Sequence, residues 1–315
     1  MAWNTQLSRE KIQQILDQAL NTGTTHVRFT GGEPLLRDDF INIYNYAYSI
    51  GIGIYIVTNG TLINSVLVKT FTERPPESIK ISLYGWDSKS YSRITRTKGN
   101  FEKLIHGTNL LTKYGINFQT YYPPIRELIV NHDRIYQCAV KLGSKQFHSP
   151  TNWDLIKSVY RDYSRNKIIE KLRLKPDEVV SLMKSDGDRL ENIKRIFHKQ
   201  YTRNIQQKPL LGCLMNKDKV TIDTYGNLLF CMQLRHPAVK YDICQGSFED
   251  AKTNFLPSLM SLYTNSCDYK KKCINCVLKP LCGLCPALSW LEQGTLDDPP
   301  IIIVTLHIGR HGCWG

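Results

Sequence analysis

Six thiols carry the most specific chemistry in this sequence: Cys213, Cys231, Cys273, Cys276, Cys282 and Cys285. Four of them follow the spacing Cys273-x2-Cys276-x5-Cys282-x2-Cys285, with Cys213 and Gly226-x4-Cys231 upstream. A Cys-x2-Cys pair lets two thiolates of one turn reach the same metal, and four such ligands close a tetrahedral site or hold a cubane. Zinc and iron–sulfur stay open at this point, since both accept four thiolates. Of ten cysteines, eight lie between Cys213 and Cys285, while the first 200 residues hold only Cys138. A disulfide framework would suit a small secreted domain. The start, Met1-Ala2-Trp3-Asn4-Thr5, has neither the basic residues nor the apolar stretch of a secretory signal. Thiols clustered in a chain expected to be cytoplasmic point to metal.

A second motif lies far upstream, at Phe29-Thr30-Gly31-Gly32-Glu33-Pro34-Leu35. Two glycines at a strand's end allow the backbone to approach a ligand closely, and Glu33 adds a carboxylate able to meet an ammonium group. A tight strand-to-helix turn, with no ligand, explains the same residues equally well.

The elements that must position these groups alternate along the first half of the chain. Ser8 can cap a helix whose apolar residues Ile12, Ile15, Leu16, Ala19 and Leu20 recur at helical spacing, with Gly23 as its stop. Strands are predicted at 26–30, 53–57, 79–83, 117–121 and 145–148, and helices over 38–49, from about 100, and over 132–142. Alternating units of this kind predict a parallel sheet with helices outside it. Ligands then sit at the carboxyl ends of the strands, where Gly31-Gly32-Glu33, Thr58-Asn59-Gly60 and Ser82 fall. Because the chain opens with a helix, the sheet is expected to begin with an unpaired edge. A charged helical connector covers 151–208, with Lys175-Pro176-Asp177-Glu178 as a helix start. In the cysteine-rich part, Lys219–Asp223 and Leu228–Cys231 predict a hairpin turned at Tyr225-Gly226-Asn227.

Composition bounds the function without naming it. A chain of 315 residues with 42% hydrophobic content can bury a sizeable core. No apolar run is long enough to span a membrane. A net charge of +13 suits a nucleic acid, an acidic peptide or simply a solvated face. A basic nucleic-acid module with zinc ribbons is disfavoured by the alternating first half.

With both motif groups in view, a resemblance becomes specific. The stretch from His26 to Phe40 resembles the strand and turn by which radical SAM enzymes hold the amino group of S-adenosylmethionine. Thr58-Asn59-Gly60 is similar to the family's next strand end, and Ser82 sits where the fourth strand commonly offers a polar contact. The order of the later cysteines resembles a SPASM domain, which carries auxiliary [4Fe–4S] clusters. The likeness runs from about Leu7 to Pro299. It implies an α/β fold, a partial (β/α)6 radical SAM barrel followed by a small cysteine-rich SPASM domain. The expected boundaries are 1–150 for the barrel, 151–208 for the connector, 209–299 for the SPASM domain and 300–315 for an atypical tail.

The resemblance also implies roles. Gly31, Gly32, Glu33, Asn59 and Ser82 would bind S-adenosylmethionine. Cys213, Cys231 and Cys285 would hold the first auxiliary cluster, and Cys273, Cys276 and Cys282 the second. The substrate would be a peptide or protein side chain, modified by 5′-deoxyadenosyl radical chemistry, with an electron donor to reduce the clusters. Three departures stand out. The last cysteine spacing is x2 where x3 is commoner, and only Cys313 is available for the final SPASM position. No cysteine precedes Cys138, so the Cys-x3-Cys-x2-Cys loop that binds the catalytic cluster is missing. The chain is therefore expected to be an N-terminally truncated or mis-started member, inactive as it stands, and its catalytic residues are unassigned. The alternative is a non-catalytic iron–sulfur or zinc protein that recognises a peptide.

Other residues are expected to be ordinary. Cys138 is expected to be a buried helix thiol, and Cys244 a packed thiol that leaves one iron of the first cluster open. Cys267 is expected to be incidental, and His132 and His148 to be loop or packing residues. Arg93 and Arg96 fit a solvated loop or a contact to a carboxylate.

Overall fold

The computed structural model describes residues 6–150, 155–185, 191, 210–211, 219–264 and 285–298. The chain forms two compact units, divided between Trp153 and Asp154.

The first unit alternates helices and strands as its periodicity predicts. Helix α1 spans Arg9–Asn21, and the Ser8 side chain accepts from the Lys11 amide to cap it. Ile15, Leu16 and Ala19 are buried, whereas Leu20, expected on the same face, is exposed. Strand β1 (His26–Phe29) leads through a tight turn at Pro34–Leu36 to α2 (Phe40–Ser49) and β2 (Gly53–Thr58). Then follow α3 (Ser65–Glu73), β3 (Ser78–Ser82), α4 (Ser88–Thr95), α5 (Asn100–Lys113), β4 (Gln119–Tyr121), α6 (Arg126–Val130), α7 (His132–Lys141) and β5 (Gln146–His148). The five strands form one parallel sheet in the order β1-β2-β3-β4-β5, so β1 is an edge as expected. Five parallel strands with intervening helices make a partial (β/α) barrel, as expected.

The two faces of the sheet differ in chemistry. Ile54, Ile56, Ile79 and Ile81 alternate onto one face and are almost fully buried, as a helix-covered parallel sheet requires. Register places Arg28 beside Tyr55, Val57 beside Lys80, Lys80 beside Gln119, and Ser82 beside Tyr121 on the other face. That face is polar and becomes the barrel's inside.

Two glycines let α5 close on the end of β2. Gly60 has φ +76, and a Cβ there would lie 2.8 Å from the Leu104 side chain. A Cβ on Gly107 would come within 2.5 Å of the Gly60 carbonyl oxygen. The helix therefore rests on the Thr58-Asn59-Gly60 turn with no room for a methyl group. Gly107→Ala should raise local helix propensity yet destabilise the unit by about 1–3 kcal/mol, because backbone must shift. Thermal unfolding of the variant checks this; an unchanged or raised melting temperature would mean the turn yields freely.

The second unit holds α8 (Tyr163–Leu172) and α9 (Pro176–Ser185), the latter opening with proline at its first position as its sequence predicts. The expected hairpin is present as β6 (Thr221–Ile222) and β7 (Asn227–Leu229), and an unanticipated third strand β8 (Lys240–Asp242) pairs with β7. Asp223 organises the hairpin turn: its carboxylate accepts from the Tyr225 and Asn227 amides and pairs with Arg235 at 2.8 Å. An irregular helical segment covers 248–261, and α10 spans Pro286–Gln293. Near the end of α10, Glu292 pairs with Arg173 at 2.7 Å and Lys157 at 2.9 Å, all three largely buried. No helix among the described residues is long and apolar enough to cross a membrane.

Candidate S-adenosylmethionine and metal sites

At the carboxyl end of the parallel sheet, Glu33 ties two turns together. Its Oε1 accepts from the Thr58 hydroxyl at 2.6 Å and from the Leu35 amide at 3.2 Å. Its Oε2 accepts from the Asn59 amide at 2.7 Å. A carboxylate has about four acceptor sites, so three are filled and Oε2 keeps one for a further donor. Gly31 and Gly32 beside it are exposed, Gly31 has φ +133, and nothing lies within 4 Å of where their Cβ atoms would be. Exposed backbone plus a carboxylate with one free acceptor fits the ammonium end of an amino-acid ligand.

The expected residues of this site come together, though not each in the expected way. The Asn59 side-chain carbonyl is occupied by the Thr61 amide and hydroxyl, at 2.9 and 2.7 Å. What Asn59 offers a ligand is its Nδ2 donor. The Ser82 hydroxyl is buried and donates to the Tyr121 hydroxyl at 2.8 Å. Tyr84 joins this group: burial raises its phenol's pKa, nearby Tyr121 adds to that, a Ser82 hydrogen bond opposes it, and Glu33 contributes a smaller rise. Tyr84 and Tyr121 are thus site residues not evident from the motifs, and Thr58, which lies within the strand-end motif, is the one whose hydroxyl bonds Glu33. Thr58 and Tyr121 do end β2 and β4 at the level of Glu33 and Ser82, a placement strand alignment exposes.

The arginines weighed for a carboxylate contact are on or at the end of α4. Arg93 is on α4 and pairs with Glu127 of α6. Arg96 is the left-handed cap of α4 at φ 59. His132 packs as expected, hydrogen-bonded to the Tyr122 hydroxyl at 2.9 Å and against the Phe147 ring. His148 lies on β5 and bonds Gln119 across 2.9 Å.

In the second unit, Cys231 and Cys285 meet at one apolar core made by Leu211, Phe230, Leu234, Val239, Leu259 and Ala287. Burial raises the Cys285 thiol's pKa, the first-turn amides of Leu288 and Ala287 pull it down, and Cys231 is near enough to push it up. Cys285 is the cap residue of α10. Two soft donors therefore pack, half-buried, against one apolar core, an arrangement compatible with thiolate-ligated metal. Cys213, Cys273, Cys276 and Cys282 lie outside the described residues, as do Cys267 and Cys313. Cys138 is buried on α7 as expected, its thiol pushed up to about 11 by burial. Cys244 corrects the expectation of a packed thiol: it is exposed, in the surface turn after β8 where its amide donates to the Asp242 carboxylate.

Comparison with known proteins agrees with this geometry. Residues 3–128 match the profile of the Radical SAM superfamily. An AdoMet-dependent heme synthase of Methanosarcina barkeri is 21% identical over 95% of this chain and 88% of the relative. Two further AdoMet-dependent heme synthases align with 45% of this chain and under two fifths of their own length. Among solved structures, Streptococcus suis SuiB bound to precursor peptide SuiA has a TM-score of 0.67 at 16% identity, covering 94% of this chain and 69% of SuiB. The enzyme anSMEcpe with bound AdoMet and Cp18Cys peptide has a TM-score of 0.61 at 15% identity, covering 97% and 88%. At these identities the likeness is one of fold. The parallel sheet, the Gly-Gly-Glu turn at its carboxyl end and the profile match coincide: residues 3–128 are a radical SAM domain.

Proposed function

We propose that this chain is a radical SAM/SPASM iron–sulfur protein built to bind S-adenosylmethionine and to act on a peptide or protein side chain. The observation that carries it is the Glu33 turn, which presents exposed backbone and a free carboxylate acceptor at the sheet's carboxyl end. Gly31, Gly32 and Glu33 would receive the amino-acid end of the cofactor, and Asn59 and Ser82 would add polar contacts. When bound to a reduced cluster, that cofactor supplies hydrogen-abstracting radical chemistry. Auxiliary [4Fe–4S] clusters would be held by Cys213, Cys231 and Cys285, and by Cys273, Cys276 and Cys282. The juxtaposition of Cys231 and Cys285 supports the first set. An external electron donor would reduce the clusters. SuiB with SuiA and anSMEcpe with its peptide support a peptide substrate. The Methanosarcina barkeri relative, matched along nearly the whole chain, favours a second reading, a role in heme synthesis.

The experiment is anaerobic reconstitution of residues 1–315. Iron and sulfide should bind together, and equilibrium dialysis should show retained S-adenosylmethionine. No cysteine precedes Cys138, so with dithionite these residues alone should form no 5′-deoxyadenosine above background. Stoichiometric zinc without sulfide would overturn the iron–sulfur assignment and favour the non-catalytic peptide-recognition alternative. Clear 5′-deoxyadenosine formation would show that other thiolates of the chain ligate the catalytic cluster.

A further inference from the structure

The inner face of the sheet carries two cations that the cofactor-binding turn does not use. Arg28 projects from β1 over the Tyr55 ring at 5.7 Å, and Lys80 from β3 over the Tyr121 ring at 5.7 Å. Parallel register puts Arg28 beside Tyr55, and Lys80 beside Val57 two residues further along β2. Both side chains therefore leave the same face across a single intervening strand. They are close enough for the Arg28 charge to lower the Lys80 pKa, after the larger effect of burial. Next to them, His148 hydrogen-bonds Gln119, and burial together with Lys80 lowers its pKa, so it adds no charge at neutral pH. Among the described residues, neither Arg28 nor Lys80 has a carboxylate within ion-pair distance, although Arg9, Arg37, Arg74, Arg93, Lys157, Arg173 and Arg235 all do.

Like charges repel, and an anion lying between them relieves that repulsion. Their aromatic platforms hold both side chains in place while leaving every N–H donor free for a ligand. Lys80 lies two residues below the level of Ser82, roughly 7 Å deeper along the strands, and Arg28 lies level with Ser78, four residues below it, roughly 13 Å deeper. An anion bound there would sit beneath, and not at, the Glu33 turn.

We propose that Arg28 and Lys80 form a carboxylate-binding pair inside the barrel, and that the substrate of this chain anchors an acidic group there. The inference deepens the proposed function, resting on the barrel's interior as the place of the substrate. The carboxylate has two sources that fit the relatives above, an acidic peptide side chain or a propionate of a heme-type ring. Two probes distinguish them: the peptide Ac-Ala-Glu-Ala-Glu-Ala-NH2, with its Glu→Gln counterpart as control, and heme.

Binding is measured by calorimetry for the full chain and for Arg28→Gln, Lys80→Gln and the double variant. At least one carboxylate probe should bind, and the double variant should weaken it about tenfold or more, the scale of losing charge-assisted hydrogen bonds. Lys80→Arg should restore most of the lost affinity, and thermal unfolding should show all variants folded. The Glu-peptide binding identifies a peptide source, and heme binding alone a tetrapyrrole one. Equal binding of the Gln peptide, equal binding by the folded double variant, or no binding of either probe to the unaltered chain would overturn the proposal. These measurements need no cluster, so failure to bind iron or S-adenosylmethionine would refute the proposed function without touching the carboxylate pair.

Discussion

Glu33→Gln should lower the affinity for S-adenosylmethionine about tenfold or more and loosen both turns at the sheet's end. The carboxylate accepts from the Thr58 hydroxyl, the Asn59 amide and the Leu35 amide through two oxygens. An amide of the same shape has one accepting oxygen, so at least one of these donors loses its partner. Each part-buried donor left unsatisfied costs about 1–3 kcal/mol, and 1.4 kcal/mol is a factor of ten in binding. Glu33→Ala should cost more, since all three bonds go. Equilibrium dialysis with labelled cofactor reads affinity, and thermal unfolding reads the turns. Unchanged affinity in a Glu33→Ala variant that stays folded would remove Glu33 from the site and leave it a purely structural knot.

Cys285→Ala and Cys231→Ala should each remove about one cluster's worth of iron, roughly four atoms for a [4Fe–4S] centre. The two thiols pack against one core, so losing either would strip a site they share. Cys138→Ala should leave iron content unchanged, because that thiol is buried on α7 of the other unit. Cys244→Ala gives the sharper contrast. If the first cluster has only Cys213, Cys231 and Cys285, its fourth iron is open: Cys244→Ala should not alter the spectrum, and an added small thiol should. Loss of about four irons in Cys244→Ala would instead make this exposed thiol the fourth ligand. Iron and sulfide assays with absorption spectra settle each case.

What could be read in the chain divides by the kind of force involved. The strands of the sheet are legible because one face must be apolar: Ile54, Ile56, Ile79 and Ile81 alternate with polar residues at a period of two. Helix α1 is legible for the same reason, with its cap at Ser8. Helix α3 was within reach of its Asn64 cap, but its Val66-Leu67-Val68 opening reads as well for a strand. Helix α4 is short and polar, held by the Asp87 capping box, which periodicity does not detect. Leu20 follows the apolar spacing of α1 yet ends exposed, since it is near the helix's last turn. The Gly-Gly-Glu motif points to the right place, but the Glu33 bonds to Thr58 and Asn59 join residues 25 and 26 positions apart. Contacts of that separation follow from the strand order and not from any local pattern. Strand β8 and the meeting of Cys231 with Cys285 are hidden for the same reason.

Helix α10 has eight residues, too few to be stable in water by itself. It is fastened at one end by the cap residue Cys285 and at the other by the Glu292 pairs to Arg173 and Lys157. Whatever binds through Cys285 therefore draws on the same folding equilibrium as those ion pairs. By linkage, a ligand that prefers the ordered helix raises its stability, and the ion pairs that order it raise the ligand's affinity by an equal free energy. For a metal held through Cys285, occupancy and the salt tolerance of this helix would be coupled measures of one equilibrium.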